Sequence, residues 1–188
     1  MQSWRWEALD PMAKTRDRIL FSREQIQERV AELGAQITKD YAGGELVVIS
    51  LLRGSFVFAA DLVREIDGPV NVDFMTTSSY GHGETTTGRV QIVHDIRTDI
   101  AGKDVLVVDD ILDTGITMHG VLEHLKRKNP RSLKTCTFLD KPSRRLVEVP
   151  LDYTGITIED LFVAGYGLNL GDFARNLPYI FVRETVEE

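Results

Sequence analysis

Apolar residues recur along the chain at two spacings, one typical of helices and one typical of buried strands. Helical spacing marks three segments, which begin near Ile26, Phe56 and Met118. Ser22 followed by Gln25 predicts a capping box before the first of them, and Gly43-Gly44 predicts its end. Short apolar or alternating runs predict strands at 46–51, 70–74, 90–92, 105–108, 133–139 and 161–164. Strands that alternate with helices predict an α/β fold with a mainly parallel sheet covered on both faces.

The third predicted strand and the segment after it have different patterns. Val70, Val72 and Phe74 alternate with polar residues, which predicts a strand with one face in the core. Residues 76–89 are rich in Ser, Thr and Gly and poor in apolar residues, which predicts a long loop.

In parallel sheets of this kind, ligands bind at the carboxyl ends of the strands. The loops that follow Leu51, Val108, Leu139 and Val163 are therefore the candidate functional segments.

Length, composition and charge narrow the class of protein. The 188 residues fit one domain, and the formal net charge of −7 excludes general attraction to nucleic acid or anionic membranes. A polyanionic ligand would need a locally positive site built from amides, a few basic side chains or a metal ion. The single cysteine, Cys136, lies in an apolar run, and the chain shows no membrane span and no signal-peptide core. These features predict a cytoplasmic protein without membrane or nucleic-acid partners.

The segment from Val105 to Thr117 carries the most chemical information. An apolar strand leads to Asp109 and Asp110, and the tight turn Asp113-Thr114-Gly115-Ile116-Thr117 opens a helix. Gly115 allows a positive φ, and the amides at the helix start favour an anion. Carboxylates that suit hydroxyls or a cation therefore stand beside a phosphate cradle. A sugar phosphate presents both kinds of group.

Three other interpretations of this segment remain open at the level of the residues. A strand that ends in Asp-Asp is typical of the magnesium strand of P-loop NTPases, but no G-x-x-x-x-G-K-[ST] run occurs. The phosphoacceptor aspartate of a receiver domain would lie near the chain start. A purely structural turn would rarely carry three aspartates at a strand end.

The same segment resembles the signature of the type I phosphoribosyltransferases, in which four apolar residues precede two acids, two further residues and Asp/Ala-Thr/Ser-Gly-x-Thr. Asp113 at its position points to the 6-oxopurine branch of that family. The resemblance covers residues 18–182 and includes five more segments in the same order. They are Leu51-Leu52-Arg53-Gly54, Ser78-Ser79-Tyr80-Gly81, the run 139–145, Phe162-Val163-Ala164-Gly165-Tyr166-Gly167 and Arg175-Asn176-Leu177-Pro178-Tyr179.

The resemblance implies a fold, an activity and partners. The fold would be that of type I phosphoribosyltransferases, a mainly parallel twisted sheet flanked by helices, with a small hood made from the chain ends. A single domain would span residues 18–188 after an N-terminal extension, residues 1–17, that could be flexible. The activity would be purine salvage: transfer of the 5-phosphoribosyl group from phosphoribosyl pyrophosphate (PRPP) to hypoxanthine or guanine, with Mg2+. The family also implies a homodimer or homotetramer.

The resemblance also implies roles for individual residues. Asp113 would be catalytic and would handle the proton on purine N7. The PRPP-binding residues would be Asp109, Asp110, Asp113, Thr114, Gly115, Ile116, Thr117, Arg53, Gly54 and Arg175. Lys141 would donate to the purine 6-oxo group, Phe162 would stack on the ring, and the Val163 backbone would bond its edge. Ser79 and Tyr80 would belong to a mobile loop over the site.

The sequence departs from the family pattern at one position. After Gly167-Leu168 the family carries an aspartate that helps to hold magnesium, whereas this chain has Asn169. Asp109 and Asp110 are the other metal candidates, and the amide of Asn169 can ligate magnesium only without charge. A second metal site is therefore in doubt.

Simpler interpretations exist for several of these residues. Phe162 and Val163 could be core residues, Lys141 a solvated turn lysine, and Arg53 a surface residue. Arg144-Arg145 is expected to be a solvated pair, unless Arg145 braces the site.

Two other functions compete with purine salvage. One is a regulator that senses PRPP or nucleotides on the same fold, and the other is a transferase for xanthine or pyrimidines. The residues do not decide among hypoxanthine, guanine and xanthine.

Overall fold

The computed structural model describes residues 15–42, 44–79 and 90–185, which form nine strands and three α-helices. Helices α1, α2 and α3 span Arg23–Asp40, Phe56–Arg64 and Ile116–Lys126. The first five strands are β1 Thr15–Phe21, β2 Leu46–Leu52, β3 Val70–Ser79, β4 Val90–His94 and β5 Asp104–Leu112. The others are β6 Ser132–Asp140, β7 Tyr153–Thr157, β8 Val163–Ala164 and β9 Ile180–Thr185, and a 3₁₀ turn covers Pro142–Arg144.

Six strands form the main sheet, in the order β4-β3-β2-β5-β6-β7. All neighbouring pairs are parallel except β3 and β4, which run antiparallel. Strand β5 therefore lies inside the sheet between β2 and β6. The predicted α/β fold with a mainly parallel sheet is confirmed.

Helices cover both faces of this sheet because successive side chains of β5 point to opposite sides. Leu106 and Val108 pack in the core cluster that contains α1 and α2. Val105 and Val107 pack in the second cluster, with α3. A strand buried on both faces needs a continuous apolar run, which is what residues 105–108 provide.

The chain ends form a second, three-stranded sheet in the order β1-β9-β8. β1 and β9 pair antiparallel from Thr15 opposite Thr185 to Phe21 opposite Ile180. The expected hood made from the chain ends is thus present. Residues 15–17, which the domain boundary placed in the N-terminal extension, belong to β1. The rest of that extension lies outside the described residues.

The first helix begins with the predicted capping box. The Gln25 N–H donates to Ser22 Oγ over 3.4 Å, and the Ser22 N–H donates to Gln25 Oε1 over 2.9 Å. The helix ends at Asp40, with Tyr41 at its C-cap, three residues before Gly44. Gly43 lies outside the described residues.

Two predictions about β3 were wrong. Residues 76–79 were assigned to a loop but continue the strand, because their backbone pairs with β4. Val72 and Phe74 were expected in the core but are 39% and 47% exposed. Helix α2 contacts β2 and β5, so this face of β3 stays open beside it.

The open face has an apolar groove of about 470 Å³. Its lining residues are Phe56, Ala59, Ala60, Val63, Arg64, Val72 and Phe74. Among the described residues, no helix is both long enough and apolar enough to cross a bilayer.

Candidate active site

Four loops meet at the carboxyl edge of the parallel strands. They follow β2, β5, β6 and β7, and together carry most of the predicted site residues. The loop after β3 leaves the sheet at the same edge, but its residues 80–89 lie outside the described part of the chain. The predicted mobile-loop residue Ser79 ends β3, and Tyr80 is among the residues not described.

The turn after β5 has the backbone geometry of the predicted anion cradle, and its ligand stays a prediction. Gly115 is the N-cap of α3 with φ +84°, and a Cβ there would lie 2.2 Å from the carbonyl oxygen of Val147. Glycine is therefore required both for the backbone conformation and for space. The first amides of α3 have no acceptor within the helix, and the cradle lines a cavity of about 240 Å³.

Asp109 and Asp110 lie at the end of β5 and line the same cavity. Burial raises the pKa of both carboxyls above the ordinary value, and the charge of Asp110 raises the pKa of Asp109 further. The positive charge of Arg175 acts in the opposite direction on Asp110. Two neighbouring carboxylates of this kind are stabilised by hydroxyl groups that donate hydrogen bonds to them or by a bound cation.

The loop after β2 packs directly against this acidic pair. A Cβ on Gly54 would lie 1.6 Å from Asp110 Oδ2, so any other residue there would displace this carboxylate. Ser55 Oγ anchors the loop by donating to the Leu51 carbonyl over 2.6 Å, and the Leu52–Arg53 peptide bond is cis. Arg53 is exposed and pairs with no acidic side chain in the described ranges.

The hood closes against the other side of the same loop. A Cβ on Gly167, which has φ +96°, would lie 2.1 Å from the carbonyl oxygen of Gly54. Arg175 Nη1 donates to the Gly167 carbonyl over 2.6 Å. Gly54 and Arg175 therefore lie beside Asp110, with Arg53 next to Gly54 in the same loop, and their role at a pyrophosphate site stays a prediction.

Asp113 stands at the mouth of the cavity on a braced backbone. Arg145 Nη1 donates to the Asp113 carbonyl over 2.6 Å, and Arg145 also pairs with Asp140. The amides of Leu146 and Val147 donate to the Thr114 carbonyl over 2.9 and 3.0 Å. Of the two interpretations given for Arg145, a solvated residue or a brace of the site, the structure supports the brace.

Lys141 lies at the start of the next loop and is only 8% exposed, so its interpretation as a solvated turn lysine was wrong. Its Nζ donates to the Leu161 carbonyl over 2.5 Å. An ammonium group has three donors, so it can also reach a ligand.

Phe162 and Val163 have opposite environments. Phe162 is 61% exposed, so its ring is open to a ligand and is not a core residue. Val163 is buried and pairs with Val182 of β9. Because β8 is an edge strand, one side of its backbone has no partner strand. The predicted strand at 161–164 is shorter, covering only Val163–Ala164.

The model of the family described as "Phosphoribosyl transferase domain" matches residues 20–170. The chain belongs to the phosphoribosyltransferase family. The hypoxanthine phosphoribosyltransferase of Salmonella typhimurium is 51% identical over 164 residues, which are 86% of this chain and 92% of that protein.

Two solved phosphoribosyltransferases extend the comparison. A hypoxanthine-guanine phosphoribosyltransferase from Bacillus anthracis has a TM-score of 0.85 and 48% identity, and the match covers 90% of this chain and 98% of that one. A Trypanosoma cruzi hypoxanthine phosphoribosyltransferase, solved to study its C-terminal region in oligomeric state and activity, has a TM-score of 0.83 and 40% identity. That match covers 89% of this chain and 91% of that one. The predicted family and fold are confirmed.

The donor set of this phosphoribosyltransferase suits a magnesium ion held together with its substrate. No group of three or more His, Cys, Asp or Glu ligands occurs among the described residues. Asp109 and Asp110 supply two carboxylates whose burial leaves their charge poorly compensated. Mg2+ is usually bound by one or two carboxylates plus substrate phosphates and water, so the pair fits.

Asn169 is placed differently from this pair. It is exposed in the hood, and its Nδ2 donates to the Gly171 carbonyl over 2.9 Å. Its role in a second metal site stays a prediction.

Two charged residues of the site were not predicted. Arg144 lies between Asp113 and Asp160, with Nε 3.3 Å from Asp113 Oδ1 and Nη1 3.6 Å from Asp160 Oδ2. Asp160 precedes the purine-stacking segment but gave no motif signal. Arg144 was assigned to a solvated pair because its partners come from distant segments of the chain.

Proposed function

We propose that this enzyme transfers the 5-phosphoribosyl group from PRPP to hypoxanthine or guanine and releases pyrophosphate. The observation that supports this proposal most directly is the arrangement at one edge of the sheet. The turn after β5, the acidic pair, Asp113 and the buried Lys141 all lie there, beside the exposed Phe162. Relatives named for these bases support the choice of substrate.

PRPP would occupy the cavity at the turn after β5 and extend from there to the loop after β2. Its 5-phosphate suits the amides of Thr114, Gly115, Ile116 and Thr117 and their two hydroxyl groups. Asp109 and Asp110 suit the ribose hydroxyls. Arg53, Arg175 and the backbone at Gly54 suit the pyrophosphate, whose charge grows as it leaves.

Magnesium would be held by Asp109 and Asp110 together with oxygens of PRPP. When bound, it would supply positive charge to the leaving pyrophosphate. Asn169 would contribute at most a neutral oxygen, so we expect this enzyme to depend less on a second ion than a relative with a carboxylate there.

The purine would lie between Phe162 and the turn after β5. The Lys141 ammonium would donate to the 6-oxo group, and the free backbone edge at Val163 would bond the ring edge. Adenine places an amino donor where Lys141 also donates, so this contact would be lost and adenine disfavoured.

Asp113 would act as the proton acceptor. As an imidazole nitrogen of the purine bonds to C1 of the ribose, the bond from C1 to pyrophosphate breaks, and the proton on N7 passes to the Asp113 carboxylate. The Arg145 brace on the Asp113 carbonyl would keep this carboxylate at the cavity mouth during the step.

The connection between β3 and β4 would close over the bound substrates. Water would capture the cation-like sugar, so the site needs shielding during turnover. The two strands pair up to Ser79 opposite Val90, at the edge where the site lies. Ser79 and Tyr80 would then meet the pyrophosphate side.

Initial rates with PRPP, Mg2+ and each of hypoxanthine, guanine, xanthine and adenine test this function. We expect nucleotide formation with hypoxanthine, guanine or both, and little with adenine. Binding of PRPP without nucleotide formation from any base would instead indicate the regulator.

We also propose that this chain forms a homodimer or homotetramer in the cytoplasm. The structure of the T. cruzi relative was solved to study the role of its C-terminal region in its oligomeric state and activity. The apolar groove beside α2, with exposed Phe56, Val72 and Phe74, suits burial against a second copy. Light scattering should show that Phe74→Glu lowers the oligomer mass, whereas Val93→Glu on exposed β4 does not. An oligomer mass that Phe74→Glu leaves unchanged would refute the proposal that this groove is the interface between copies.

A further inference from the structure

Four charged side chains of alternating sign form a chain along the purine side of the site. Asp113 Oδ1 lies 3.3 Å from Arg144 Nε, and Arg144 Nη1 lies 3.6 Å from Asp160 Oδ2. The other oxygen of Asp160 lies 3.9 Å from Lys141 Nζ. The two ends of this chain are Asp113 and Lys141, the two groups that the proposed reaction directs at the purine.

We propose that Arg144 is a positioning residue that orients the Asp113 carboxylate, with Asp160 holding the other end of its guanidinium. This inference rests on the proposed role of Asp113. In the described part of the chain, Arg144 is the only side chain that forms a hydrogen bond or ion pair with the Asp113 carboxylate. With Oδ1 held by the guanidinium, Oδ2 remains available for the purine proton.

The local structure separates this role from that of the neighbouring arginine. Arg145 is mostly buried and holds the backbone of the turn, through the Asp113 carbonyl and the Asp140 carboxylate. Arg144 ends the 3₁₀ turn and is half-exposed, and within the described ranges its guanidinium pairs only with carboxylates. Loss of Arg144 should therefore change the carboxylate geometry without weakening the fold.

Arg144 also links two walls of the proposed purine site, each just beyond the end of a strand of the main sheet. Asp113 follows β5, whereas Asp160 lies in the coil between β7 and β8, just before Phe162. The planar guanidinium can face both carboxylates at once, which a lysine ammonium cannot do with the same geometry. A bound purine would exclude water from these ion pairs and so strengthen them.

The test is a double-mutant cycle on kcat with hypoxanthine as substrate. We expect Arg144→Gln to lower kcat by roughly 5- to 20-fold. This range lies between the effect of losing an exposed ion pair and the effect of losing a charged hydrogen bond. The KM for PRPP and the melting temperature should stay unchanged. Arg144→Lys should recover part of the loss. Arg127→Gln, the same change at the exposed end of α3, is the matched control and should leave kcat unchanged.

The decisive comparison is made in the Asp113→Asn background. If Arg144 acts through Asp113, adding Arg144→Gln to Asp113→Asn should lower kcat by less than about twofold, because the two changes remove the same interaction. An undiminished effect in that background, or normal kcat in Arg144→Gln alone, would overturn the inference. Normal turnover of Asp113→Asn itself would overturn instead the proposed role of Asp113, so the two failures can be told apart.

Discussion

The contact between Gly54 and Asp110 makes the substitution Gly54→Ala a sharp test of the site. The added Cβ would lie 1.6 Å from Asp110 Oδ2 and 2.4 Å from its Cγ. The loop cannot retreat, because the Gly54 carbonyl already faces Gly167 of the hood and Ser55 is fastened to Leu51. The carboxylate of Asp110 must therefore move.

Movement of Asp110 is the easier relief, because the clashing atoms are the end of its side chain, whereas the other side of the loop faces the backbone of the hood. Overpacking of this kind costs about 1–3 kcal/mol. If the strain is relieved at Asp110, it should appear as lost ligand affinity. We expect PRPP to bind about 5- to 150-fold more weakly in the presence of Mg2+, since each 1.4 kcal/mol is tenfold.

Calorimetric titration with PRPP and Mg2+, together with the KM for PRPP, measures this loss. Gly44→Ala is the matched control, because its Cβ would meet the nearest atom at an ordinary 3.5 Å and lies away from the site. It should bind PRPP normally, and both variants should remain folded by circular dichroism. Wild-type PRPP affinity in Gly54→Ala would refute the reasoning that this loop and Asp110 form one rigid wall of the site.

Three further predictions concern the purine, the metal and the lid. Lys141→Ala should lower the hypoxanthine-to-adenine ratio of kcat/KM by roughly 10- to 150-fold, the worth of a charged hydrogen bond, and an unchanged ratio would exclude Lys141 from base selection. Removal of Mg2+ with EDTA should abolish turnover, and the Mg2+ concentration for half-maximal rate should rise as the pH falls. Metal binds deprotonated carboxylates, and burial raises the pKa of Asp109 and Asp110, so protons compete with Mg2+ more strongly as the pH falls. A Mg2+ requirement that does not change with pH would contradict this reasoning. Shortening residues 80–89 should depress kcat while nucleotide monophosphate binding persists, and amide exchange there should slow with a transition-state mimic and Mg2+. Equally fast exchange in both states would mean that this segment is no lid.

The sequence predicted the features of the site that are local in the chain. The strand, acidic pair, turn and helix start between Val105 and Thr117 are contiguous, so their spacing alone defines the cradle. The central strands were predictable for a similar reason, because a strand buried on both faces must be apolar throughout.

Features that depend on distant pairing were not predictable from the residue pattern, and only the family resemblance implied a hood made from the chain ends. β1 and β9 lie at opposite ends of the chain and stabilise each other only in the fold. The alternation of Val72 and Phe74 indicates a strand but does not tell whether a helix covers that face. The role of Arg144 could be inferred only from the fold, which places Asp113 and Asp160 on either side of its guanidinium.

The substitution Asp113→Asn tests the central claim most directly, because it removes the proposed proton acceptor and keeps the size of the side chain. We expect kcat for nucleotide formation from hypoxanthine to fall by roughly 10²–10⁴-fold, the usual worth of a positioned acid or base. PRPP affinity should stay near that of the wild type, because the cradle amides and the Asp109–Asp110 pair are untouched. Near-normal turnover in Asp113→Asn would contradict the account and remove Asp113 from the mechanism.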